Sequence, residues 1–123
     1  MNNSTILCFH LAKDKEKAVA DVCHKLNIRL RKVSTSEYNQ QLGFLAGIQG
    51  FSRKQTKNGS VDLAGEMIVF SGMDSDCVDA FLAAYKETGA APIGLKAILT
   101  PHNVFWDVSQ LYGELMKEHK MFQ

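Results

Sequence analysis

The sequence holds no C-x-x-C pair, and its three cysteines, Cys8, Cys23 and Cys77, are odd in number. That fits reduced thiols in a cytoplasm better than a disulfide framework. Long apolar runs are missing as well. The first one covers only residues 6–11, with no basic segment before it and no small-residue cleavage pattern after it. A signal peptide and a membrane span are therefore not expected. There is no G-x-x-x-x-G-K-[ST] stretch, and the glycines of "GFLAGIQGF" (43–51) do not follow a strand in G-x-G-x-x-G spacing. Neither a phosphate loop nor a dinucleotide fingerprint is present. Tight zinc spacing is absent too. Cys8 and His10 share a strand face, Cys23 and His24 diverge on a helix, and His102 and His119 are far apart. The expectation is no metal, no cofactor and no catalytic residue, although any of the three thiols could meet a histidine in space and make a thiol-dependent enzyme.

What is present is unevenly charged. Residues 1–62 carry ten Lys/Arg against five Asp/Glu, and residues 63–123 carry four against eight, so halves of +5 and −4 make up the net +1. Such halves can attract each other, or pair with a second copy in a homodimer. Arg29, Arg31, Lys32, Arg53, Lys54 and Lys57, with Phe51 beside them, form a modest basic patch. The strands lack an RNP pattern and Phe9 and Phe70 read as buried, which argues against nucleic acid as a partner.

The 123 residues read as one domain of two pseudo-repeats, 5–47 and 66–120, joined by a polar linker, 49–65. In the first, "ILCFHL" (6–11) predicts a buried strand, and Val19, Val22, Cys23 and Leu26 recur at i, i+3, i+4, i+7 as one helix face. "LRKVST" (30–35) predicts a second strand, and Ser36 an N-cap for a short helix carrying Tyr38, Leu42 and Leu45. In the second, "MIVFSG" (67–72) aligns Phe70 with Phe9. Asp74 or Ser75 caps a helix with Val78, Phe81, Leu82 and Tyr85 on one face, and Gly89 stands at C′. "LKAILT" (95–100) aligns Lys96 with Arg31, and a last helix carries Val108, Leu111, Tyr112, Leu115 and His119.

Two interlocked strand-helix-strand units predict a two-layer α/β sandwich of the ferredoxin-like kind, a four-stranded antiparallel sheet with helices on one face. The alternative is a small parallel, flavodoxin-like sheet with helices on both faces.

"LKAILTPHNVFW" (95–106) concentrates the candidate chemistry. Asp107 and Gln110 have the layout of a capping box, with Trp106 and Leu111 as its hydrophobic staple. Pro101 stops the strand and Asn103 suits a turn. Lys96 shares a strand face with Ile98 and Thr100, and the loop that follows leads to a helix N-terminus that favours an anion. Lys96, Thr100 and Asn103, with His102 beside them and Arg31 mirroring Lys96 from the other half, are the expected contacts to a small anionic ligand. The bland reading of both cations is ion-pair partners at a sheet edge.

Residues 66–119 resemble a bacterial family known as domain of unknown function 3783. The resemblance rests on Pro92, Ile93, Leu95, Lys96, Ala97, Leu99, Thr100, Pro101, Asn103, Trp106, Glu118 and His119, and "QLGFLAG" (41–47) is similar to longer members. His102 departs from the pattern, where a small polar residue is usual. The resemblance implies a bacterial cytoplasmic protein and brings no activity or ligand. The residues point to a non-enzymatic ligand-binding or regulatory domain, with a dimeric interaction module as the alternative.

Overall fold

The computed structural model describes residues 4–54 and 65–121, the last three of these by backbone alone. Most of the expected linker, 55–64, and the His119 side chain lie outside that description. The elements run β1 (Thr5–Phe9), α1 (Lys13–Leu26), β2 (Arg29–Val33), α2 (Leu42–Leu45), β3 (Met67–Ser71), α3 (Ser75–Glu87), β4 (Leu95–Ile98) and α4 (Val108–Met121). Short 3-10 turns at Thr35–Glu37 and Asn103–Phe105 precede α2 and α4.

β1 and β3 are buried at every position. Strands apolar on both faces must be central and covered twice, and the sheet obeys this with the order β2-β1-β3-β4. β1 pairs in parallel with β2, and β3 with β4, while β1 and β3 run antiparallel, centred on Leu7↔Val69. Helices lie on both faces. Ile6, Cys8, Ile68 and Phe70 pack with Val19, Val22 and Cys23 of α1 and Val78, Phe81 and Tyr85 of α3. Leu7, Phe9, Met67 and Val69 pack with Tyr38, with Leu42 and Leu45 of α2, and with Val108 and Leu111 of α4.

The fold is α/β with a mixed sheet, and neither expected sheet is the one observed. A ferredoxin-like interlock needs a foreign strand inside each crossover, yet β1–β2 and β3–β4 are direct neighbours. The two-layer expectation fails because one helix layer would leave the second apolar face of β1 and β3 in water. The flavodoxin-like alternative has the two helix layers, but its sheet is parallel throughout and the β1–β3 pair is not.

The alignment of the halves also shifts by one. Phe9 belongs to the α2/α4 face and Phe70 to the α1/α3 face. A one-residue slip along a strand exchanges faces, so residues equivalent about the Leu7↔Val69 centre are Thr5 and Met67, not Ile6 and Met67. In that register His10 (φ 62) and Gly72 (φ 68), both left-handed, stand at matching positions. The helix expected from Ser36 onward is broken into the 3-10 turn and the four-residue α2.

Candidate functional site

The anticipated ligand contacts do not assemble into one ring. Arg31 and Lys96 lie on opposite edges of the sheet, three strand spacings or about 14 Å apart, and on opposite faces. Arg31 pairs with Leu7, of the α2/α4 face, and Lys96 with Ile68, of the α1/α3 face. The Arg31 guanidinium donates to the Leu45 carbonyl at 2.9 Å and to Glu37 Oε2 at 2.8 Å. The Lys96 ammonium donates to the Ile93 carbonyl at 2.9 Å.

Thr100 and Asn103 do meet, and they satisfy each other. Asn103 Oδ1 accepts the Thr100 N–H at 2.8 Å, and its Nδ2 donates to the Ile98 carbonyl at 3.1 Å. Thr100 Oγ1 accepts the N–H groups of Asn103, at 3.0 Å, and His102, at 3.2 Å. The two donors best placed for an anion in this turn are therefore occupied. The His102 ring stands edge-on to Trp106, 5.3 Å between centroids. Asp107 Oδ1 accepts the Gln110 N–H at 2.8 Å, the forward half of the capping box.

Part of the basic patch is paired. Glu37 Oε2 takes Arg31 at 2.8 Å and Arg53 at 3.0 Å, and Glu16 takes Lys32 at 3.3 Å. Both arginines also lie over the Phe44 ring. Burial pushes the thiols of Cys8 and Cys23 up to about 12, so both stay protonated and poorly nucleophilic at neutral pH. Among the described residues, no group of three or more His, Cys, Asp and Glu could hold a metal ion. Nor is any helix among them long and apolar enough to cross a membrane.

A different set of residues converges at one end of the sheet. Arg29 pairs with Thr5, Thr5 with Ser71, and the Leu99 N–H reaches the Phe70 carbonyl at 2.8 Å, which carries the row one strand further. By the alternation of strands, Arg29, Thr5, Ser71 and Leu99 all point to the α2/α4 face. Arg29, Thr5 and Ser71, next to Leu99, close that otherwise apolar face with polar side chains where β1 and β2 begin and β3 and β4 finish.

Opposite them runs the segment 46–51, turned by Gly47 (φ 78) and Gly50 (φ 98), conformations that suit glycine. The space between is a cleft of ≈ 620 Å³, whose walls also include Ile48, Phe51, Thr100 and Val104. Ser71 is only 6% exposed and lines the cleft, and its hydroxyl has no hydrogen-bond partner among the described residues. The Arg29 guanidinium, exposed at the cleft, likewise has no carboxylate partner among the described residues.

The cleft thus offers a fixed positive charge, free hydroxyl capacity and an apolar wall. Of the anticipated contacts only Thr100 lines it. Sequence reading passed over Ser71 and Thr5 because each looks like the polar end of a strand, and Arg29 because it sits in a run of basic residues. The signal that could have found them is strand parity in the correct register, which alone puts these side chains on one face.

Neither a curated protein nor a solved structure matches the chain. One family model does match it, that described as Domain of unknown function (DUF3783), over residues 66–122, which contain β3, α3, β4 and α4. That stretch, which carries the Pro92 to Asn103 motif and Trp106, is similar to the DUF3783 family.

Proposed function

We propose that this protein is a non-enzymatic ligand-binding domain, serving as a regulator or accessory subunit, whose cleft under the 46–51 segment takes a small molecule with one anionic group and an apolar body. The observation that carries the reading is Arg29: a guanidinium without a carboxylate partner among the described residues, in the same cleft as the Ser71 hydroxyl. Arg29 supplies the charge and a fork of donors suited to a carboxylate or phosphate. Ser71 and Thr100 add hydroxyl contacts, and Ile48 and Phe51 cover the apolar part. The expected anion-binding role of Thr100 moves to this cleft. Lys96, Asn103 and Arg31 are not part of it. The free, buried thiols Cys8 and Cys23 support a reducing, cytoplasmic setting.

The test is a thermal-shift panel of carboxylates, phosphates and nucleotides, followed by calorimetric titration of whatever raises Tm. Arg29→Ala is expected to weaken binding at least tenfold, since a hydrogen bond to a charged group contributes about 1.5–3 kcal/mol. A panel that leaves Tm unmoved sinks the proposal, as does a ligand indifferent to both Arg29→Ala and Ser71→Ala.

A second reading, dimerisation through β4, draws on the open edge of that strand, where Ile98 is 50% exposed and the Lys96 backbone has no partner beyond the strand. Light scattering at low and high salt decides it, and a monomer at every salt level rules it out.

A further inference from the structure

A second cavity, of ≈ 230 Å³, lies on the opposite face of the sheet between α3 and β4. Its inner walls are Ile68, Phe81, Tyr85 and Ile93, all buried, with Leu82 and Ala90 beside them. The one hydroxyl in those walls is already committed, since Tyr85 donates to the Ala91 carbonyl at 2.6 Å. The interior therefore offers a guest no polar side chain and suits hydrocarbon.

The mouth is the opposite. Lys86 and Lys96 are both exposed and both border the cavity. Lys86 has no partner among the described residues, and Lys96 has only the neutral Ile93 carbonyl. An ammonium has three donors, so the mouth holds two positive charges with unused donors and no bound carboxylate. The nearby Glu66 does not compete for them. Its two oxygens take Lys15 at 2.9 and 2.7 Å, and Oε2 also accepts the Gly94 N–H at 2.7 Å. Lys15 in turn reaches the Pro92 carbonyl at 3.0 Å, so the loop that forms the rim is tied at both Pro92 and Gly94 and the opening is set in advance.

From this pairing of a dry interior with a cationic mouth, we infer that the α3–β4 cavity is a binding site for a medium-chain carboxylate, its hydrocarbon tail inward and its carboxylate between Lys86 and Lys96. At about 30 Å³ per water-sized group, the cavity has room for a tail of about seven carbons. This site shares no residue with the Arg29 cleft and stands or falls independently of it.

The test uses the full chain titrated with octanoate, followed by amide NMR shifts, with acetate and octanol as controls. Octanoate is expected to shift amides of α3 and of residues 90–96 and to bind at least tenfold more tightly than either control. The surface double variant K86M/K96M, which leaves the walls intact, should weaken octanoate at least tenfold and leave octanol unchanged. Ala90→Phe, which fills the cavity, should abolish both. The inference is overturned if octanoate shifts map elsewhere, if acetate binds as tightly as octanoate, or if the lysine variant binds octanoate as the parent does. Because that variant alters only exposed side chains, the outcome stands even where Ala90→Phe fails to fold.

Discussion

Asn103 does with two side-chain atoms what a fifth strand would do with its backbone. Its amide takes the outward N–H of Thr100 and the outward carbonyl of Ile98, ending the open edge of β4 at that point. Asn103→Ala leaves both groups without their partner at a partly buried site, and at about 1 kcal/mol for each bond it should cost about 2 kcal/mol, read as a lower urea midpoint at unchanged m. A loss below a few tenths would show that water replaces the amide without cost. The residue was recognisable in the sequence as a turn former, but its task was not, because its partners exist only once β4 lies at an edge. Asp107 was different. An N-cap bonds an N–H three residues ahead, so the whole interaction is local and legible. Arg31 and Lys96 show the limit of analogy between halves. Their alignment in sequence is one residue out of phase with the sheet, and that single step puts them on opposite faces.

At the scale of elements, the helices follow from spacing. Val19, Val22 and Cys23 in α1 and Val78, Phe81 and Tyr85 in α3 are buried as the 3.6-residue period requires. Asp74 caps α3, its carboxylate accepting the Cys77 N–H at 2.8 Å. α2 escaped this logic. Tyr38 and Leu42 fit a helical stripe, but the main chain between them instead ties to the start of α4. The Leu42 N–H donates to the Trp106 carbonyl at 2.9 Å, and the Val108 N–H to the Tyr38 carbonyl at 3.3 Å. Joining elements far apart in sequence is also the work of Lys15 and Glu66, which bind α1 to β3 and to the turn before β4. The bond from Glu66 holds the Lys15 ammonium above its ordinary value. Glu66→Gln removes the charge and one acceptor. The Gly94 amide is then expected to exchange with solvent at least tenfold faster, while amides in the middle of α3 keep their rates. Uniform acceleration across the chain would instead indicate global destabilisation.

For the molecule as a whole, stability depends on keeping two thiols dry. Burial raises Cys8 and Cys23 from 9.0 to about 12. As pH rises past 9.0 the unfolded chain releases these protons before the folded one does, so folding stability falls between 9.0 and about 12 and is unaffected by these groups below that window. Lys15, raised from 10.5, contributes a loss of the same sign at higher pH. Urea midpoints should therefore decline above pH 9.0 more steeply in the parent than in a Cys8→Ala/Cys23→Ala variant, which retains the Lys15 contribution. Parallel declines would refute the assignment.

The same burial marks the boundary between what was written in the chain and what was not. Local sequence is enough to place the four strands, α1, α3 and α4 with their apolar faces, the caps at Asp74 and Asp107 and the α/β class, because each depends on residues within a few positions of one another. Long-range packing sets the order β2-β1-β3-β4, the second helix layer, and the meeting of Arg29, Thr5 and Ser71 in one cleft. Those depend on which strands become neighbours and in what register. That choice is made by burying both faces of β1 and β3 at once, a condition no local stretch of sequence can express.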